Sequence, residues 1–420
     1  MDLLILGSGG RESALEWKLN QSSFVNKIYV CPGNGGTTNN LDLSLNDLNE
    51  IKSFATKNNL VTIVGPEGPL NNGIVNIFKE EKLEIFGPSK EAAQLETSKI
   101  FAKNFMKNAN IPTAKFEIFS DYYDAVDYVK KYDGKVVIKA DGLAAGKGVS
   151  VLDNVQDSVD YLNQLMINKT LGDAGTNVVI EQILKGEEIS VFYLSDGNSV
   201  IRLSTAQDHK RIFDNDVGPN TGGMGSYSPC FFLSNDILED IDKIAENTIL
   251  NMKLSNKPFC GILYVGVIIS NDKPYVLEYN VRFGDPEAQV LLPRMKSDFY
   301  PYIQASINQE LDKMPELIWS NQFALCVILS SIGYPSKYPI NEKISGINNV
   351  LKMEDIYVFH SGTKMNQNIL LTNGGRVLGI TSLNKNLKKA IKNAYNAVNL
   401  VHWDHIYFRK DVGNKALKYF

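Results

Sequence analysis

The 420-residue chain is poor in the features that mark several large classes of protein. It has four cysteines, Cys31, Cys230, Cys260 and Cys326, widely spaced and with no C-x-x-C pair. That argues against a disulfide frame or a zinc site, and it reads as free thiols in a reducing compartment. No apolar run approaches the length of a membrane span. The opening "MDLLILGSGGRES" turns glycine-rich after a few apolar residues and has neither a basic leader nor a cleavage pattern, so it does not read as a signal peptide. The expected location is cytoplasmic, with no membrane partner. Basic residues are not in excess: 43 Lys and Arg stand against 47 Asp and Glu, a net charge of −4. A nucleic-acid footprint is therefore not expected, and an anionic ligand must be caught by local positive groups.

Two nucleotide motifs are also missing. No G-x-x-x-x-G-K-[ST] occurs, so there is no Walker loop. "GSGGRE", residues 7–12, sits where a dinucleotide fingerprint belongs, but the third glycine falls at Glu12 and the next strand ends in Cys31-Pro32 rather than an acid. An NAD-dependent oxidoreductase is disfavoured. What survives is a helix N-terminus with Gly9, Gly10 and Arg11, suited to a monophosphate, or else simply a tight turn between strand and helix.

What is present is ordinary globular material, 44% apolar and 21% charged, in a chain long enough for two to four domains. Residues 1 to about 95 alternate strand and helix patterns, "LLILG", "KIYV", "LVTIVG" and "LEIFG" being the strands. This predicts a doubly wound, mostly parallel sheet with its ligand edge at the strand C-terminal ends. Residues 89–110 read as one helix ended by Ile111-Pro112. Mixed α+β stretches follow. The expected division is 1–100, then a central unit of 101–120 and 191–325 carrying a small mobile lid of 121–190, then a C-terminal α+β unit of 326–420.

Three constellations carry chemistry. "VVIKADGLAAGKGVSVL", residues 136–152, is a glycine-rich loop between two strands with Lys139 and Lys147 at its edges, suited to a polyanion. A hairpin with two solvated lysines is the plainer reading. "VLEYNVRFGDPEAQ", residues 276–289, puts Glu278, Asn280 and Arg282 on one face of a strand. A carboxylate and an amide oxygen suit magnesium, and an arginine fork suits a carboxylate or phosphate. "AQDHKRIFDNDVGPNTGGMGSYSP", residues 206–229, packs Asp208 and Lys210 beside a glycine-rich loop containing Gly222 and Gly223. His360, His402 and His405 read as structural.

Together with "PGNGGT", "TIVGPEGPL", "VIEQILKGEEIS", "HSGTK", "TNGGRVLGIT" and "HWD", these segments run in order from residue 6 to residue 413. The chain resembles the phosphoribosylamine–glycine ligase family of the ATP-grasp superfamily. The resemblance implies two α+β lobes closing over ATP. It implies that Lys99, Lys139 and Lys147 contact ATP, that Glu181, Gln182 and Leu184 form the hinge that reads adenine, and that Glu188 holds the ribose. It further implies Glu278 and Asn280 as ligands of Mg2+ or Mn2+, and glycine, 5-phosphoribosylamine and ATP as partners, in a monomer or weak homo-oligomer. Arg282 is the expected grip on the glycine carboxylate and Asp208 on its ammonium, with Lys210 beside them and Gly9, Gly10, Arg11, Gly222 and Gly223 as further substrate contacts. Ser13 and Leu171 depart from the family text, and Gly266 stands where many ATP-grasp enzymes carry a second metal-binding acid. Another ATP-grasp carboxylate–amine ligase and a catalytically silent nucleotide-binding protein are the alternatives.

Overall fold

The computed structural model describes residues 1–143 and 148–419. Its first sheet is parallel and grows from the strands expected: β1 (Asp2–Gly7), β2 (Lys27–Pro32), β3 (Val61–Val64) and β4 (Ile85–Phe86), in the order β2-β1-β3-β4. Strand β1 is buried on both faces. Leu4 and Leu6 join one hydrophobic cluster, Leu3 and Ile5 the other, as the two-residue period of a strand between helical layers requires.

A second, four-stranded antiparallel sheet contains β5 (Phe116–Phe119), β6 (Lys135–Ala140), β7 (Val149–Asp153) and β8 (Val178–Gln182), ordered β5-β8-β6-β7. It has its own small core. Ala125 and Val129 of the helix Tyr122–Lys131 pack with Ile138 of β6 and Val178 and Ile180 of β8, and Leu171 lies against this cluster.

The remaining large sheet is built from β9 (Glu187–Asp196), β10 (Val200–Asp208), and, after the two-stranded ribbon β11 (Arg211–Phe213) and β12 (Val217–Asn220), from β13 (Gly225–Ser228), β14 (Cys260–Ser270), β15 (Lys273–Asn280) and β16 (Phe323–Ser331). It continues through β17 (Ile356–His360), past the ribbon β18 (Thr363–Asn366) and β19 (Ile369–Thr372), to β20 (Arg376–Asn384) and β21 (Ile406–Tyr407). The strand order is β15-β14-β9-β10-β13-β16-β20-β17, with β21 pairing β16. Only two residue pairs, Gln207–Tyr227 and Asp208–Ser226, join β10 to β13, so Asp208 sits where the two halves of this sheet meet. Among the described residues no helix is long and apolar enough to cross a membrane.

One expectation fails here. Residues 89–110 are two helices, Lys90–Thr97 and Lys99–Asn108, broken at Ser98, whose backbone is extended (φ −134°, ψ 114°). Ser98 caps the second helix by accepting from Phe101 N, and its hydroxyl donates to Asp141 Oδ1 (2.9 Å). Asp141 Oδ1 also accepts from Ile100 N (3.1 Å). A serine cap plus a carboxylate satisfying a first-turn N–H outweighs the helical propensity of the run.

Candidate active site

Strand pairing assembles the site. Gly266 of β14 lies opposite both Glu278 of β15 and Ser190 of β9, and Ser190 lies opposite Ala206 of β10. Residues two apart on a strand share a face, so Glu278, Asn280, Ser190, Glu188 and Asp208 all stand on one side of the sheet. Lysines converge on this face from elsewhere. Lys99, at the start of the second helix after the break at Ser98, brings its Nζ to 3.5 Å from Glu278 Oε2. Lys210 Nζ is 3.9 Å from Glu278 Oε1 and 3.2 Å from Glu188 Oε2. Lys139 Nζ donates to the carbonyl of Leu277 (2.9 Å), beside Glu278.

The electrostatics follow. Burial works to raise the Glu278 carboxyl, but Lys99, Lys210 and Lys139 outweigh it and hold the group at about 2. Lys210 is opposed by burial and raised by Glu188 and Asp208. Asp208 is raised, by burial first and by the negative charge of Glu188 and Glu278, against Lys210. Three lysines bear on Glu278 from different elements, and the cluster is open enough at Lys210 (37% exposed) and Glu188 (52%) to admit a polyanion.

Below it lies a buried knot that the sequence reading missed. Glu181, 2% exposed, accepts from Lys103 Nζ at 2.9 Å and pairs with Lys139 Nζ at 2.8 Å. Lys103 also donates to Thr113 Oγ1 (2.6 Å) and is pulled down to about 8 by burial, with Glu181 opposing. Glu181 was expected only as a hinge residue. Its side chain also fixes Lys139, while Gln182, at the end of β8, is exposed and Leu184, on the connector to β9, is partly so.

Arg282, just past the end of β15, is similarly committed. Its Nε donates to Glu67 Oε2 (3.0 Å), its Nη2 to Glu96 Oε1 (2.6 Å) and its Nη1 to the carbonyl of Phe283 (3.1 Å). Nη2 also reaches Asn280 Oδ1 at 3.5 Å, so of a guanidinium's five donors one, on Nη1, is left for a ligand. Against burial, Arg282 and Arg11 hold Glu67 at about 2, and Glu96 fixes the strand end through Val281 N (2.8 Å). Glu67 and Glu96 are the pieces that give the fork its orientation.

The expected phosphate grip at the first helix is not open. Arg11 is 7% exposed, its Nε paired with Glu12 Oε1 (2.6 Å) and its Nη1 with the carbonyl of Phe283 (3.1 Å). Gly9 N donates to Glu12 Oε2 (2.6 Å), and Arg11 N to Asp285 Oδ2 (3.2 Å). Carboxylates of the chain therefore already take up donors at that helix end. Gly10 is packed so closely that a Cβ would lie 2.3 Å from Gln289 Nε2. The Gly222 and Gly223 carbonyls are held by Arg376 Nη1 (2.8 and 3.4 Å), which also reaches the carbonyl of Asp285 (2.5 Å). Ser13, one of the departures, accepts from His360 N (3.2 Å) and so links the first helix to the C-terminal segment. Lys147 lies outside the described residues.

A divalent cation is tested by its donor set. Glu278 meets its lysines at 3.5 and 3.9 Å, and the Asn280 Oδ1 meets Arg282 Nη2 only at 3.5 Å, so neither oxygen is tightly spent. A carboxylate and an amide oxygen from one strand face fit a magnesium-type ion that completes its shell with phosphate and water. No group of three or more His, Cys, Asp or Glu among the described residues could hold a metal alone.

Comparison with known proteins covers nearly the whole chain. Three family models match in sequence: the phosphoribosylglycinamide synthetase N domain over residues 1–96, its ATP-grasp (A) domain over 97–288 and its C domain over 324–415. The phosphoribosylamine–glycine ligase of Rhodopirellula baltica is 42% identical over 427 residues, covering 99% of this chain and 98% of that protein. That of Halalkalibacterium halodurans is 43% identical, covering 99% and 97%. A crystal structure of the phosphoribosylamine–glycine ligase from Thermotoga maritima superposes with a TM-score of 0.85 at 31% identity, covering 98% of this chain and all of that one. With matching domains in order, relatives matched along nearly their full length and a shared fold, the chain belongs to the phosphoribosylamine–glycine ligase family.

Proposed function

We propose a division of labour among these side chains in the reaction of the family. The chain is an ATP-dependent ligase of purine biosynthesis, joining glycine to 5-phosphoribosylamine to give glycinamide ribonucleotide, ADP and phosphate. A carboxylate is a poor acyl donor. Transfer of the γ-phosphoryl group to it gives glycyl phosphate, which the amine then attacks with loss of phosphate and a proton. Such a transfer needs positioning and charge neutralisation rather than a covalent nucleophile.

The observation that carries this reading is the convergence of Lys99, Lys139 and Lys210 on the face of Glu278. Lys99 and Lys139 receive the phosphates of ATP, Lys139 being held in place by Glu181. Glu188 takes the ribose hydroxyls, and the connector with Gln182 and Leu184 receives adenine. Glu278 and Asn280 would hold Mg2+ or Mn2+, which would neutralise phosphate charge. Arg282, oriented by Glu67 and Glu96, turns its remaining Nη1 N–H to the glycine carboxylate, and Asp208 faces the ammonium. The edge formed by Gly222, Gly223 and Asp285 under Arg376, beside Gly9 and Gly10, receives phosphoribosylamine. The cytosol is the compartment that fits a chain with four free thiols.

The test is ADP release by the full chain. It is expected to require glycine and phosphoribosylamine together. ATP turnover indifferent to either would overturn the reading.

A further inference from the structure

Glu287 is the carboxyl on this face that the reaction as described leaves unused. It precedes the short helix Ala288–Leu291 and is 3% exposed. Its carboxylate stands over Gly284, where a Cβ would lie 2.3 Å from Oε2. Its hydrogen-bonding neighbour is weak: Ser190 Oγ is 3.3 Å from Oε1, and the same hydroxyl lies 2.7 Å from Tyr264 Oη. No cationic nitrogen among the described residues is within 4 Å of it, unlike Glu67, Glu96, Glu181 and Glu278. Asp208 follows two residues after Ala206, which pairs with Ser190, so the two carboxyls share one face. The charged and titratable groups around Glu287 are Asp208 and Lys210 from β10 and the loop after it, Tyr264 from β14, Arg282 past the end of β15 and Arg376 from β20. Burial first, and Asp208 second, push its carboxyl up to about 7.

A buried carboxyl without a cation is costly unless a cation arrives. The substrates bring one small cation, the ammonium of glycine. We infer that Glu287 and Asp208 together receive that ammonium, and that Glu287 makes the site select an amino acid over other small carboxylates. The inference rests on the reading of Arg282 and Asp208 given above. It also supplies a chemical reason for a carboxylate pair: two anions keep the glycine nitrogen protonated, so its lone pair is not free to attack an activated carbonyl and the phosphoribosyl amine is the nucleophile.

The test compares glycine with glycolate, which keeps the carboxylate and replaces the ammonium by a hydroxyl. In Glu287→Gln, KM for glycine should rise roughly tenfold to a hundredfold, the range for losing a hydrogen bond to a charged group. The inhibition constant of glycolate against glycine and the KM for ATP should stay within about threefold. A purely structural role would weaken glycine and glycolate alike, and that result, or an unchanged glycine KM, would overturn the inference. The wild-type protein gives a second reading that needs no variant. Below pH about 7 Glu287 gains a proton and loses the charge that attracts ammonium, so kcat/KM for glycine should fall by up to about tenfold per pH unit while glycolate inhibition stays flat. A glycine profile flat between pH 6 and 8 would count equally against it. Wild-type ADP release that needed no glycine would instead remove the parent reading.

Discussion

Glu278 is the carboxylate on which the lysines of the site converge. Three lysines hold it ionised, and its oxygens remain loosely engaged. Glu278→Gln keeps shape and removes one negative charge, so turnover should drop by at least about a hundredfold while Tm moves by only a few degrees. Kinetics against magnesium concentration alongside a thermal scan check this; an unchanged metal dependence would remove the residue from the metal's shell. Arg282 invites a different substitution. Lysine keeps the charge but not the planar fork that Glu67 and Glu96 grip from two sides. Arg282→Lys should raise KM for glycine about tenfold to a hundredfold and leave ATP affinity nearly unchanged, measured by initial rates with each substrate varied. Loss of ATP affinity with a normal glycine KM would place the arginine on phosphate instead. The shared face of Glu278 and Asn280 was legible because two-residue periodicity is local, whereas Arg282, expected on the same strand, stands past its end at Asn280. Their partners were not legible: Glu96 and Arg282 are 186 residues apart in sequence and meet only because strand and helix ends converge. Arg11 misled for the opposite reason. An arginine beside a glycine-rich helix start suits a phosphate, but its neighbour Glu12 takes it inward.

At the level of elements, the break at Ser98 matters most. A single helix through residues 89–110 would rotate Lys99 with every turn before it. The break lets Ser98 and Asp141 set the start of the second helix independently, and Lys99 is the first residue of that helix. Ser98→Ala should cost about 1 kcal/mol in stability, the usual worth of such a cap, and should raise KM for ATP several-fold. Denaturant unfolding and ATP kinetics measure the two; a stability loss with unaltered ATP use would mean that Lys99 needs no such anchoring. The strands themselves were mostly readable, since β1 and β3 are short β-branched or leucine runs ending at glycine, and β15 alternates. The helix break was not, because the residue that enforces it, Asp141, lies 43 positions away from Ser98.

For the molecule as a whole, the same carboxylates that serve the site make it acid-sensitive. Glu67 and Glu278 both sit at about 2 against an ordinary 4.5. A depressed carboxyl contributes stability above its unfolded value, and that contribution is lost as pH falls from about 4.5 toward 2. Tm should therefore fall across this interval, and Glu278→Gln should flatten part of the fall; an identical acid profile in wild type and variant would show that Glu278 carries none of it. The large sheet, meanwhile, runs across the boundary expected between residues 325 and 326, since β16, β20 and β17 extend it from β13. Nothing in a local pattern announces that a strand at 225–228 will pair with one at 323–331, because that choice is made by two cores closing over both faces.

Arg376 draws a consequence from the order in which the chain is synthesised. Its guanidinium clasps the carbonyls of Gly222, Gly223 and Asp285, yet it emerges from the ribosome after every residue assigned here to ATP, metal and glycine. A nascent chain halted before residue 376 thus carries all the groups that would meet nucleotide, but not the clasp that joins the two substrate loops. Synthesis past residue 376, rather than folding of β9, β14 and β15, is what finishes the edge proposed above for the phosphoribosyl amine.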